Sequence, residues 1–139
     1  MEPTKVVVKY TNGIVIKGFT QNFSPNRDWF YLTPVDKSSD GTIQVLVKRL
    51  KAIFIVRDFS GKPKFDERKK YVVGESPSGV KLEVTFTDGE VMVGSASLGY
   101  DPKRQGNFII PADPDSNNIR VFVVSSAVKS FRQLFDNPK

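Results

Sequence analysis

The sequence repeats itself. Residues 6–18 (VVVKYTNGIVIKG) align with residues 82–94 (LEVTFTDGEVMVG), keeping the Gly13/Gly89 and Gly18/Gly94 spacings. A second block sets Phe23-Ser24-Pro25-Asn26-Arg27 against Tyr100-Asp101-Pro102-Lys103-Arg104, followed by Pro34 against Pro111 and Asp36 against Asp113. A third sets Ile43, Val45 and Val47 against Ile119, Val121 and Val123. Three blocks in one order limit the chain to two diverged copies of one small module.

Each copy reads as β. Leu82, Val84 and Phe86 alternate with Lys81, Glu83, Thr85 and Thr87, the period of a half-buried strand. Asn12-Gly13 and Asp88-Gly89 suit tight turns with positive φ at both positions. A two-residue turn would pair Phe86 with Val91 and Val84 with Val93. Gly18 and Gly94 fall inside the second strand, where a missing side chain permits a bend. Third strands are expected over Trp29–Thr33 and Asn107–Ile110. A fourth is expected over Thr42–Lys48, and a fifth over Ala52–Asp58. A short 3₁₀ turn at Arg49-Leu50-Lys51 would join these last two, and Ser125-Ser126-Ala127-Val128 repeats that step. Phe131, Leu134 and Phe135 make a short amphipathic end. The expected fold is all-β: two tandem five-stranded small barrels at 1–59 and 80–139, joined by a charged, Pro- and Gly-containing connector at 60–79.

Composition narrows function by exclusion. There is no Cys and no His, which removes disulfides, thiol nucleophiles, Cys/His metal sites and imidazole bases. No nucleophile–base pair or Gly-rich phosphate loop is visible, so no enzymatic activity and no cofactor is expected. Asp113-Pro114-Asp115-Ser116-Asn117-Asn118 is rich in oxygen ligands. It lacks the spaced acids and mid-loop Gly of a Ca²⁺ loop and reads as an Asx-stabilised turn, so no metal is expected. No apolar run has the length of a membrane span and no signal-peptide pattern is seen, so a cytoplasmic location is expected. Charge is lopsided: 14 Lys and Arg against 7 Asp and Glu in residues 1–70, and 7 against 8 in residues 71–139.

A strand, an Asn/Asp-Gly turn, a strand with Gly five residues on, and a Phe/Trp-rich third strand together resemble the first motif of Sm-like proteins, whose five-strand plan SH3-like barrels share. The turns Arg49-Leu50-Lys51 and Ser125-Ser126-Ala127 stand where Sm-like proteins carry a second motif, without its Arg-Gly. Over nearly its whole length the chain is also similar to an uncharacterised bacterial family, through segments such as 50–59 (LKAIFIVRDF) and 111–121 (PADPDSNNIRV). That resemblance implies no activity. Its relatives accompany PilZ-type signalling domains, which implies a regulatory setting.

The duplicated loop is the favoured binding site. Asn22, Arg27 and Trp29, with their twins Tyr100 and Arg104, combine a stiff loop, a guanidinium and aromatic area. The same residues could serve the fold, with Pro stiffening the loop and Arg pairing Asp28 or Asp101. Lys48, Arg49, Lys51, Arg57, Lys69 and Lys70 form the densest basic run, a possible polyanion patch or a solvated face. The expected function is a non-enzymatic binding or adaptor module for a protein or a small signalling ligand. The alternative is a single-stranded nucleic-acid binder of Sm-like type. Oligomeric state is open.

Overall fold

The computed structural model describes residues 3–36, 41–60, 71 and 79–135. The first half forms β1 (Thr4–Tyr10), β2 (Val15–Thr20), β3 (Trp29–Pro34), β4 (Ile43–Leu46), a 3₁₀ turn (Val47–Arg49) and β5 (Leu50–Val56). The second forms β6 (Val80–Phe86), β7 (Val91–Ala96), β8 (Gly106–Pro111), β9 (Asn118–Val124), a 3₁₀ turn (Ser125–Ala127) and β10 (Val128–Gln133). The chain is all-β, and of the residues expected as an amphipathic end Phe131 lies in β10, while Leu134 and Phe135 follow it. None of its described helices is long and apolar enough to cross a membrane.

The strands pair antiparallel in one sheet of ten, in the order β10-β6-β7-β8-β9-β5-β1-β2-β3-β4. Two tandem five-stranded barrels in contact were expected, and a continuous ten-stranded sheet is the result that counts against them. The halves nevertheless repeat one plan. Each runs fifth, first, second, third, fourth strand, and each carries its 3₁₀ turn between the fourth and the fifth. They join where β5 pairs with β9, with Ala52 opposite Val123, Ile53 opposite Phe122 and Phe54 opposite Val121. The 60–79 connector falls almost wholly outside the described residues.

The join makes two strands apolar on both faces. Ile53 and Ile55 enter a core with Val6, Val8, Phe30, Leu32 and Val45, and Phe122 and Val124 of the second half enter the same core. Ala52 and Phe54 turn the other way, onto Leu82, Val84, Phe86, Ile109, Val121 and Val123. Neither core is complete without a strand from the other half. A strand buried on both faces reads as a continuous apolar run, as residues 52–56 (AIFIV) and 121–124 (VFVV) do.

Local registers correct the sequence reading in three places. The hairpin turns are not two-residue turns with positive φ throughout, for among the described non-glycine residues none has positive φ. Gly89 N–H donates to the Phe86 carbonyl at 2.9 Å and Phe86 N–H to Glu90 at 2.8 Å. The Asp88 carboxylate accepts from Glu90 N–H at 3.0 Å. Only Gly89, at φ 93°, needs the left-handed region, and the extra turn residue shifts the pairing to Thr85 with Val91 and Val84 with Met92. The third repeat block also moves. Phe30 pairs with Val45 and Asn107 with Val123, so Val45 corresponds to Val123 and Ile43 to Val121, two residues from the alignment by pattern. The 3₁₀ turn lies at Val47–Arg49, two residues before the expected Arg49-Leu50-Lys51.

Candidate binding surface

The twin loops serve different ends. In the first half Asn22 is structural: its Oδ1 accepts from Tyr31 N–H at 3.1 Å, which ties the loop to β3. Phe23 leaves that loop to meet Phe30, Phe108 and Phe122 edge-on, with ring centres 5.2, 6.1 and 5.1 Å away. The loop therefore seals the join. Gln105 of the second loop donates from Nε2 to the Pro25 and Arg27 carbonyls at 2.8 and 2.6 Å. The structure thus brings the twin loops together, and a groove lined by Pro25, Asn26, Leu98 and Arg104 runs between them.

Arg27 and Trp29 lie on the open side. The Arg27 guanidinium stands 5.2 Å from the Trp29 ring centre, and Trp29 meets Tyr31 edge-on at 5.0 Å. Tyr31 is 47% exposed, and Arg27 is exposed. Across β3–β4, Trp29 is opposite Leu46 and Tyr31 opposite Gln44. A groove of about 560 Å³ continues from Tyr31 along Phe19, Asn22, Thr33 and Thr42.

The second half has the same face, filled. Gly106 and Phe108 occupy the positions of Trp29 and Tyr31, and Phe122 and Val124 those of Gln44 and Leu46. There Phe23 and β5 cover them. Of two equivalent faces, the join uses one and leaves the other bare. Tyr31 and Leu46 were missed by sequence reasoning. The signal was the contrast between 121–124, apolar throughout, and 43–46, where Gln44 interrupts the run.

The remaining expected site residues disperse. Tyr100 packs on Phe131 with ring centres 4.1 Å apart, and burial pushes its phenol up, with a Ser125 hydrogen bond opposing. Arg104 pairs with Asp101 at 3.6 Å. In the basic run, Lys51 Nζ reaches Asp88 at 2.7 Å and also bonds Glu90, across the two halves. Burial works against its charge, but the hydrogen bonds and charges of Asp88 and Glu90 prevail and hold it above the ordinary lysine value. Arg57 donates from Nε to the Ser116 carbonyl at 3.2 Å. Lys48 and Arg49 are exposed, and Lys69 and Lys70 lie outside the described residues. The acidic turn behaves as an Asx turn, with Asp115 N–H donating to Asp113 Oδ1 at 2.9 Å. No group of three metal-ligating side chains occurs among the described residues.

Residues 2–135 match a family of unknown function, DUF6982, and the chain belongs to that family. No curated protein and no solved structure matches it.

Proposed function

We propose that the chain is a non-enzymatic binding module, regulatory in setting and cytoplasmic, which recognises a protein partner through the Arg27–Trp29–Tyr31 face. The observation that carries this reading is the inequality of the two equivalent faces. One is closed by Phe23 and β5, while the other presents an exposed Tyr31 and a half-buried Trp29 beside an exposed Arg27. Trp, Tyr and Arg are the residues most enriched where binding energy concentrates. The regulatory setting rests on the resemblance to relatives that accompany PilZ-type domains.

The two halves are read as diverged copies of one Sm-like or SH3-like small-barrel module. The repeated strand order and the 3₁₀ turn in each half support this. A protein partner is favoured over a single-stranded nucleic acid because the described residues of the basic run do not form one free stripe. Lys51 is held by Asp88 and Glu90, and Arg57 is turned onto Ser116.

Affinity capture from the native cell extract, with bound proteins and small molecules identified by mass spectrometry, tests the reading. Arg27→Ala and Trp29→Ala are expected to cut capture at least about tenfold while leaving the thermal midpoint nearly unchanged. Capture by both variants equal to that by the unaltered chain would contradict it.

A further inference from the structure

We propose, resting on the binding face just described, that the open edge of β4 takes up an extended, acid-flanked segment of a partner protein as an added antiparallel strand. The chain carries its own worked example of the contact. β9, the fourth strand of the second half, receives β5 along the edge that β4 leaves unpaired among the described residues. By correspondence, a partner strand in the place of β5 sets successive residues opposite Ile43, Gln44, Val45 and Leu46. Side chains opposite Gln44 and Leu46 fall on the outer face, in line with Tyr31 and Trp29. Apolar residues there gain the aromatic floor, and main-chain hydrogen bonds to β4 supply the rest.

Charge selects the occupant. At the Trp29 end of β4 stand the exposed cations Arg27, Lys48 and Arg49, with Asp28 beside them. Acidic residues flanking the added strand complement this end and speed its arrival.

The same features disfavour a second copy of the chain added through its β10 edge, the end of the sheet opposite β4. Where β5 offers Ala52 and Phe54 to the join, β10 offers Ser130 and Arg132, whose guanidinium is held by Glu83, with the exposed Lys129 nearby, so polar and charged groups would take places that the join fills with apolar ones. Gln44 stands in the place of Phe122, and Asp28 in the place of Gln105. A carboxylate cannot donate to the loop carbonyls as the Gln105 amide does. Charged and polar edge residues of this kind keep sheet edges from self-pairing.

The test uses the full chain and two labelled peptides. One carries the Ala52–Val56 sequence flanked by Asp-Glu at both ends, and the other carries Lys-Lys flanks. Fluorescence anisotropy is expected to show the acidic peptide binding at least about tenfold more tightly than the basic one. Trp29→Ala should weaken it about tenfold, and Gln44→Glu, a change at an exposed position, should weaken it several-fold. On binding, those amides of Ile43–Leu46 that face away from β3 should gain protection from hydrogen exchange.

Equal affinity for both peptides, or binding that leaves those amides unprotected, overturns strand addition. So does failure of the acidic peptide to bind. In each case Trp29-dependent capture from extract still decides the broader reading separately. Self-association that rises with chain concentration and protects the outward amides of Ile43–Leu46, whether or not it is lost in Ser130→Pro, would make a second copy the occupant, and would also overturn the proposal.

Discussion

Lys51 shows how one residue can join two halves. It is the extra residue in a bulge between Leu50 and Ala52, opposite the shift between Lys9 and Tyr10. The bulge aims its ammonium across the join at Asp88 and Glu90, and over the Phe86 ring at 4.7 Å. Its counterpart Lys129 occupies the matching bulge of β10 and is exposed. The hydrogen bond from Lys51 is the main cause that holds Asp88 below its ordinary value of 3.8. A carboxylate with a lowered folded value adds stability above its unfolded value and loses it as the folded group protonates. The difference in thermal midpoint between the unaltered chain and Asp88→Asn should therefore be present at neutral pH. It should shrink as pH falls below 3.8, as thermal melts across an acid series will show. A difference independent of pH would separate Asp88 from Lys51. Because Asp88 is exposed the effect is small, and high salt should reduce it further.

At the scale of strands, the two in-strand glycines and the two joining strands decide the packing. A Cβ on Gly18 would stand 2.5 Å from the Thr33 carbonyl oxygen, and one on Gly94 would strike the Ile110 carbonyl and Ile109. The sequence reading gave these glycines a bend. What each provides is close approach of the second strand to the third, at the Gly18–Pro34 and Gly94–Pro111 pairs. Gly94→Ala should cost roughly 1–3 kcal/mol in urea unfolding, and a neutral result would show the crossing to be loose. Phe122→Ala should cost more, about 3–5 kcal/mol, because the ring is fully buried in a core built largely by the other half. The alternation in 82–86 was legible because one face of β6 is buried and the other is not. The join was harder to read. Residues 52–56 look like one more strand until the absence of polar residues is taken to mean that both faces are covered. The pairing of Val45 with Phe30 was not legible at all, since Ile43, Val45 and Val47 match a two-residue slip equally well.

For the whole molecule, the sequence showed a repeat but not the way its copies meet. Pattern within each copy reports that copy's faces, whereas the meeting of β5 with β9 depends on contacts between residues more than sixty positions apart. The twin loops stand out in the sequence as a pair, yet their likeness hid their division of labour: Phe23 closes the join, while Tyr100 rests on Phe131. Two cores that each borrow from the other half should unfold together. A chain cut within 60–79 should lose both halves, and calorimetry of the intact protein should give one transition. Two resolved transitions would mean that each half stands alone.

The central claim is that one join fills the face of the second half and leaves that of the first half open. Residue-resolved hydrogen exchange of the free chain measures this directly. The account predicts that interior amides of β5 and β9 exchange slowest, at the free energy of global unfolding. Amides of β4 that face away from β3 should exchange orders of magnitude faster. Exchange in β5 or β9 as fast as in β4, or slow exchange along the whole of β4, would contradict it.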